Sequence, residues 1–314
     1  MKYIEDFKEG ERIVGHYFCK QRQSLKTKSG KNYLSLKLQD KTGVVDTKVW
    51  ELNNDISSFD EKDVIKIDGE VVAFQGTLQL RVTKIRKSQE GEYENKDFIP
   101  ATDKDVDSLF ANIESIIASM SNVYIKSLLE NIFLKDEKVL SNIKTHSAAK
   151  TFHHGYMGGL IEHLVSVAQT CDFLSGKYKF VNRDLLVAGA LLHDIGKIHE
   201  LSSFPDNDYT DDGELIGHII IGVEMVTKEA SKIDNFPQEL LSLIKHLIIS
   251  HHGELEYGSP QTPKTIEALI LHNADDMDAK IKSFEEFLVK GESKATWVGY
   301  HTIFKRNIRK SGGV

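Results

Sequence analysis

The chain has 314 residues, 40% hydrophobic and 28% charged, which allows two domains with sizeable cores and is an ordinary balance for a water-soluble protein. No apolar run is long enough to cross a bilayer, Met1 to Asp6 has no apolar signal segment, and Cys19 and Cys171 lie too far apart in sequence to suggest a disulfide framework, so a cytoplasmic protein with no membrane partner is expected. The formal net charge of −7 excludes little, because residues 1–90 hold 17 Lys/Arg against 14 Asp/Glu and the remainder 23 against 33: a polyanion suits the front, cations suit the rear.

Residues 10–87 read as short strands separated by turn signals. Asn32 to Asp40 alternates with period two, its leucines on one face. Thr42-Gly43 turns into Val44 to Trp50, and Asp63 to Phe74 and Leu78 to Lys87 form a hairpin across Gln75-Gly76. A helix over Glu51 to Phe59 would complete the five-stranded barrel of an OB-fold. Between the first two strands, Lys20 to Lys31 holds five basic residues and no acid. In such barrels this loop and the face of strands two and three commonly touch oligonucleotides. Lys26, Lys28, Lys31, Tyr33, Lys37, Lys48 and Arg81 are the candidate phosphate and stacking contacts for a single strand. Trp50 is assigned to plugging the barrel.

Residues 88–100 are polar, end at Pro100 and read as a linker. Val106, Leu109, Phe110, Ile113, Ile116, Ile117 and Met120 then recur at helical spacing, and 122–134 and 136–145 read as two more helices, packing rather than chemical. From His146 the chain reads as helical to about residue 288. Leu185 to Leu192 has almost no polar face, so it is a buried helix, with Asn182 as N-cap and Gly196 as C-cap. It delivers His193 and Asp194 side by side, and buried polar groups need partners.

Eleven of the thirteen histidines lie between His146 and His272. His163 sits on a helix with the stripe Leu160, Leu164, Val167, Cys171. His218 follows Ile216-Gly217 at a helix start. His251 and His252 end a helix opened by Pro237, and Asp275, Asp276 and Asp278 follow Leu271 to Ala274. Each His alone is an ordinary core or surface residue. Imidazoles and carboxylates at the core edges of five successive helices point instead to a bundle-centred metal site. His246 lies on a different face and is left out. His153 and His154 are equally a reach toward substrate or plain surface.

The ordered set His163, His193-Asp194, His218, His251-His252 and Asp275 resembles the HD superfamily of metal-dependent phosphohydrolases, in the extended form with two metals. With the barrel in front, the segments Leu34 to Asp40, His193 to Lys197, Ser250 to Gly253 and Leu271 to Lys280 are similar to YhaM-type 3′→5′ exoribonucleases of Gram-positive bacteria. The resemblance implies a multidomain α and β chain: an OB-fold domain at 1–90, a linker and helical segment at 91–145, and an all-α HD bundle at 146–314. It also implies Mn²⁺, with Fe²⁺, Zn²⁺ or Mg²⁺ as alternatives for a mixed His/Asp shell.

Phosphodiester cleavage needs a nucleophile and relief of phosphoryl charge, and two metals about 4 Å apart can supply both. Asp194 can bridge two cations with its two oxygens. His163, His193 and Asp275 would complete one metal, and His218, His251 and His252 the other. Asp276 and Asp278 remain open as replacements for Asp275. Lys197 is either a phosphate contact, hence a catalytic partner of Asp194, or a charge at a helix C-terminus. Three readings follow. One is a 3′→5′ exonuclease of single-stranded RNA, or single-stranded DNA, that releases nucleoside monophosphates. Another is a phosphohydrolase of a small nucleotide or cyclic dinucleotide with the barrel as a docking module. The third is a non-catalytic binder with a structural metal. The ligand set argues against the third, and the basic loop favours the first. A homo-oligomer is compatible with all three.

Overall fold

Period-two alternation becomes strand throughout the front of the chain in the computed structural model, which describes residues 1–53, 55–150, 154–290 and 296–311. β1 (Arg12–Lys26), β2 (Asn32–Asp40), β3 (Gly43–Val49), β4 (Val64–Phe74) and β5 (Thr77–Lys87) close into a barrel in the order β1-β2-β3-β5-β4. Only β3 and β5 run parallel. Leu34, Leu36 and Leu38 point inward with Val45, Val49, Ile65, Ile67, Leu80 and Val82, so the odd positions of β2 face outward. Gln75 and Gly76 both have positive φ, 50° and 81°, as a two-residue primed hairpin turn requires.

Three expectations for this unit need correction. The basic segment 20–31 is mostly strand, because β1 runs to Lys26 and pairs with β2 from Cys19↔Leu38 to Lys26↔Asn32. Its outer half is exposed on both faces, so no hydrophobic period marks it. The helix over 51–59 is absent among the described residues there. The Asn53 side chain caps the Asp55 amide, and Ile56 joins Ile85 in a parallel bridge; side-chain and sheet bonds replace the helical ones. Trp50 does not plug the barrel. It is 43% exposed and stacks on Tyr33 with ring centroids 4.6 Å apart. Residues 88–100 pack back on the barrel: Phe98 is buried, and its carbonyl accepts from Gln39 Nε2 at 3.0 Å.

The second compact unit is built from Thr102–Ser203 and Asn207 onward. It contains α1 (Val106–Ala118), α2 (Val123–Leu129) continued as a π-helical stretch (Glu130–Lys135), and α3 (Glu137–Thr145). There follow α4 (Gly159–Ser175), α5 (Arg183–Leu192), α6 (Lys197–Glu200), α7 (Asp211–Leu215), α8 (His218–Ala230), α9 (Gln238–Ser250) and α10 (Ile266–Lys290). One core joins α1–α3 to α4, α5, α8, α9 and α10. α5 is its axis: every residue from Asp184 to Leu192 is buried, and Asn182 caps it by accepting from Leu185 N. A hairpin of β6 (Trp297–His301) and β7 (Arg306–Arg309), not foreseen, follows α10. No helix among the described residues is long and apolar enough to cross a membrane. Cys19 in the barrel and Cys171 in α4 are buried free thiols, and burial pushes each up to about 12.

Gly196 is not a C-cap. Its φ is −64°, and it leads directly into α6. A Cβ there would lie 2.1 Å from the His218 carbonyl oxygen. Gly196 therefore lets the start of α8 approach the turn that carries Asp194.

Candidate metal centre

Five helices place the expected residues around Asp194. His163 lies inside α4, His193 caps the C-terminus of α5 with Asp194 next, and His218 opens α8. His251 caps the C-terminus of α9 with His252 next, and Asp275 lies in α10. On one side of Asp194, His163 Nε2 is 3.1 Å from Asp275 Oδ1 and 3.2 Å from His193 Nε2, and both imidazoles are 3.5 Å from Asp194 Oδ2. On the other side, Asp194 Oδ1 is 3.5 Å from His218 Nε2 and 3.7 Å from His251 Nε2, and His218, His251 and His252 form a second group of convergent donors.

The arrangement passes a chemical test for cations. Ligand atoms about 2.0–2.2 Å from one ion lie roughly 3 Å from each other, the spacing found in the first group. Asp194 Oδ1 and His218 Nε2 are buried with no hydrogen-bond partner among the described residues, a cost that a bound cation would relieve. Burial works against charge on His193, but Asp194 and Asp275 outweigh it and push the imidazole up to about 10. Burial, then His193 and His252, hold His251 well below the usual histidine range. The two carboxylates resist burial as well: Lys197 and His193 keep Asp194 far down, and His163 and His193 do the same for Asp275.

Lys197, at the start of the four-residue α6, places its Nζ 2.6 Å from Asp194 Oδ2, so the lysine stands beside the donor cluster. Asp275, Asp276 and Asp278 separate by position. Asp276 faces outward and pairs with Lys280. Asp278 Oδ2 accepts from His163 Nδ1 at 2.8 Å and lies 3.2 Å from His154 Nε2, while its other oxygen accepts from Ser166. His246 accepts from the Lys264 amide, apart from the site. His153 lies outside the described residues. Glu200 went unnoticed in the sequence: its Oε1 accepts from the His218 amide at 3.0 Å and lies 2.8 Å from His218 Nδ1. The one signal was an acid closing the short segment Gly196 to Glu200.

On the barrel, Tyr33 and Lys37 project outward from β2 and Lys48 from β3. Lys48 donates to Ser35 Oγ and stands in register with Arg81 of β5. Arg81 is shared with Glu70 at 2.8 Å, and Lys37 lies across from Asp46. Trp50 and Arg81 also line a cleft of about 620 Å³ with Arg12, Asp68 and Glu70. Lys26 ends β1, and Lys28 and Lys31 are exposed in the turn beyond it.

A five-stranded OB barrel is followed in the chain by a helical unit that carries convergent groups of His and Asp donors. The HD domain family matches residues 160–280, and the OB-fold nucleic acid binding domain matches residues 20–88. The 3′-5′ exoribonuclease YhaM of Geobacillus sp. (strain WCH70) is 33% identical over 291 residues, 92% of this chain and 89% of that one. The chain belongs to the YhaM family of 3′→5′ exoribonucleases. Among solved structures, the second OB-fold domain of replication protein A from Methanococcus maripaludis matches 30% of this chain and 98% of its own, at 19% identity and a TM-score of 0.24. Aspartyl tRNA synthetase from Entamoeba histolytica matches 54% and 34%, at 13% identity and a TM-score of 0.24.

Proposed function

We propose that this chain removes nucleoside monophosphates one at a time from the 3′ end of single-stranded RNA, with Mn²⁺ as the resident cation. The observation that carries the reading is the placement of Asp194, whose two buried oxygens face two separate groups of nitrogen and oxygen donors. His163, His193 and Asp275 would hold one ion, His218, His251 and His252 the other, and Asp194 both. Ions bound there supply activation of the attacking water and neutralise charge on the phosphoryl oxygens. Lys197 adds a partly buried cation beside Asp194 and would contact a substrate phosphate. In the division of labour, residues 1–90 grip the strand and 146–314 cut it. Lys26, Lys28 and Lys31 contribute phosphate contacts. Tyr33, Lys37, Lys48 and Arg81 line the outward face of the barrel, where bases stack and phosphates pair.

End-wise attack follows from the burial of the donors, since a chain end enters a closed bundle more readily than the middle of a strand. A duplex would have to open at roughly 1.4 kcal/mol per base-pair step. The test uses 5′-labelled RNA with a single-stranded 3′ tail beyond a stable hairpin, with Mn²⁺ or chelator, and the same strand as DNA. A ladder that shrinks from the 3′ end, halts near the stem and vanishes in chelator is expected. Cuts in a circular RNA, or mononucleotide released from the 5′ label at the earliest times, would overturn the polarity. Turnover of a free nucleotide or cyclic dinucleotide with no polymer cleaved would assign the site to a small-molecule phosphohydrolase.

A further inference from the structure

Four imidazoles of the centre, His163, His193, His218 and His251, are not held alike. His193 Nδ1 faces the Ala190 carbonyl at 2.8 Å and His251 Nδ1 faces the Ile248 carbonyl at 2.6 Å. Each is the carbonyl three residues back in the same helix, so these rings are fixed by backbone. His163 and His218 are held by carboxylates instead, Asp278 and Glu200. His163 is clamped between two carboxylates one turn apart on α10: Asp275 meets its Nε2 at 3.1 Å and Asp278 its Nδ1 at 2.8 Å. Asp278 is itself pinned by Ser166 and His154. Protein donors thus occupy both of its oxygens, whereas Asp194 Oδ1 has none among the described residues. Glu200 spans the start of α8, taking both the amide and the ring nitrogen of His218.

Resting on the metal reading above, we infer that Asp278 and Glu200 are positioning residues, each serving a different one of the two ions. Asp278 orients His163 toward the ion shared with His193 and Asp275. Glu200 orients His218 toward the ion shared with His251 and His252. A carboxylate on the far nitrogen of a ligating histidine fixes the tautomer, aims the ring and raises the basicity of the ligating nitrogen, and its loss typically costs about 10–100-fold in metal affinity. Because each carboxylate touches one donor group only, the losses fall on separate ions.

The test titrates the metal-stripped full-length protein with Mn²⁺ by calorimetry and follows the same samples by electron paramagnetic resonance. Wild type is expected to take up two ions that couple magnetically. Asp278→Asn and Glu200→Gln, which keep the side-chain shape, should each weaken one step about 10–100-fold and show the six-line signal of an isolated ion at one equivalent. The double variant should weaken both steps. Ser166→Ala, which loosens Asp278 without touching a ligand, should weaken the same step as Asp278→Asn by less, and it keeps the test open should Asp278→Asn fail to fold. Activity of either single variant should return at high Mn²⁺. Two ions bound with wild-type affinity in both variants would overturn the assignment alone, as would a double variant that leaves one step untouched. A third equivalent in wild type, lost in Asp278→Asn, would make Asp278 a ligand with His154 and overturn its positioning role. Wild type that binds no Mn²⁺ would overturn the metal reading itself, and the assignment with it.

Discussion

Asp194 concentrates the electrostatics of the helical unit, because it is buried between a lysine and four imidazoles. Asp194→Asn keeps the volume and removes the charge that both donor groups share. Turnover of RNA in Mn²⁺ is expected to fall by about 10²–10³-fold or more, the scale on which single groups act on transition-state charge, while far-ultraviolet circular dichroism stays near wild type. Full activity of that variant in chelator would remove the centre from the reaction. His146 offers a residue-scale test of stability away from the metal centre. Burial lowers its affinity for a proton, and the carbonyls of Asn142 and Leu201 offset only part of that. The unfolded imidazole, near 6.5, therefore binds the proton first. Its contribution is complete above that value and is lost as pH falls toward the lowered folded one. His146→Gln should flatten the decline of Tm between about pH 7 and 5 in the metal-free protein; an unchanged slope would mean that other groups carry it.

Elements differ in how plainly the sequence announces them. The leucines of β2 alternate against a barrel interior, so its bounds could be read directly, and α5 is apolar all round because it is the axis of the core. The outer arm of β1 and the hairpin β6–β7 have exposed faces and leave no such trace. The histidines and Asp194 could be read as a set because imidazoles at several helix ends are chemically unusual. Asp278 could be read only as an alternative to Asp275, since Asp276 two residues away has the same chemistry and faces outward, and Glu200 not at all. Two glycines set how closely the elements meet. A Cβ on Gly189 would fall 2.6 Å from Leu247 Cδ1, between α5 and α9; on Gly196 it would meet the α8 backbone at 2.1 Å. Gly189→Ala should cost about 1–3 kcal/mol by overpacking, seen in urea midpoints, and leave Mn²⁺ affinity close to wild type. Gly196→Ala should move His218 from Asp194 and weaken Mn²⁺ binding more than its stability cost would suggest. Equal metal affinity in the two variants would separate the α8 approach from the centre.

For the whole molecule, grip and cleavage are expected to answer to different residues. Neutralising Lys26, Lys28 and Lys31 together should reduce the salt dependence of binding to a long single strand, by up to about 0.7 in slope for each phosphate left without its lysine. Cleavage of a dinucleotide should be unaffected. Trp50→Ala removes the stacked partner of Tyr33 and should weaken strand binding by about 1–3 kcal/mol for each base that no longer stacks, read by fluorescence anisotropy. An unchanged salt slope would reduce the turn to solvated charge.

The two cysteines divide between the two units, Cys19 in the barrel and Cys171 in α4, and at about 12 each is almost wholly the unreactive thiol at neutral pH. Alkylation must then wait for the surrounding structure to open. The intact chain thereby carries one chemical clock per unit. Labelling with iodoacetamide along a denaturant series, followed by peptide mass spectrometry, should yield two separate opening curves from a single sample. Metal loading should slow the Cys171 clock, since an ion that binds only the folded helical unit stabilises it, and leave the Cys19 clock running at its own pace.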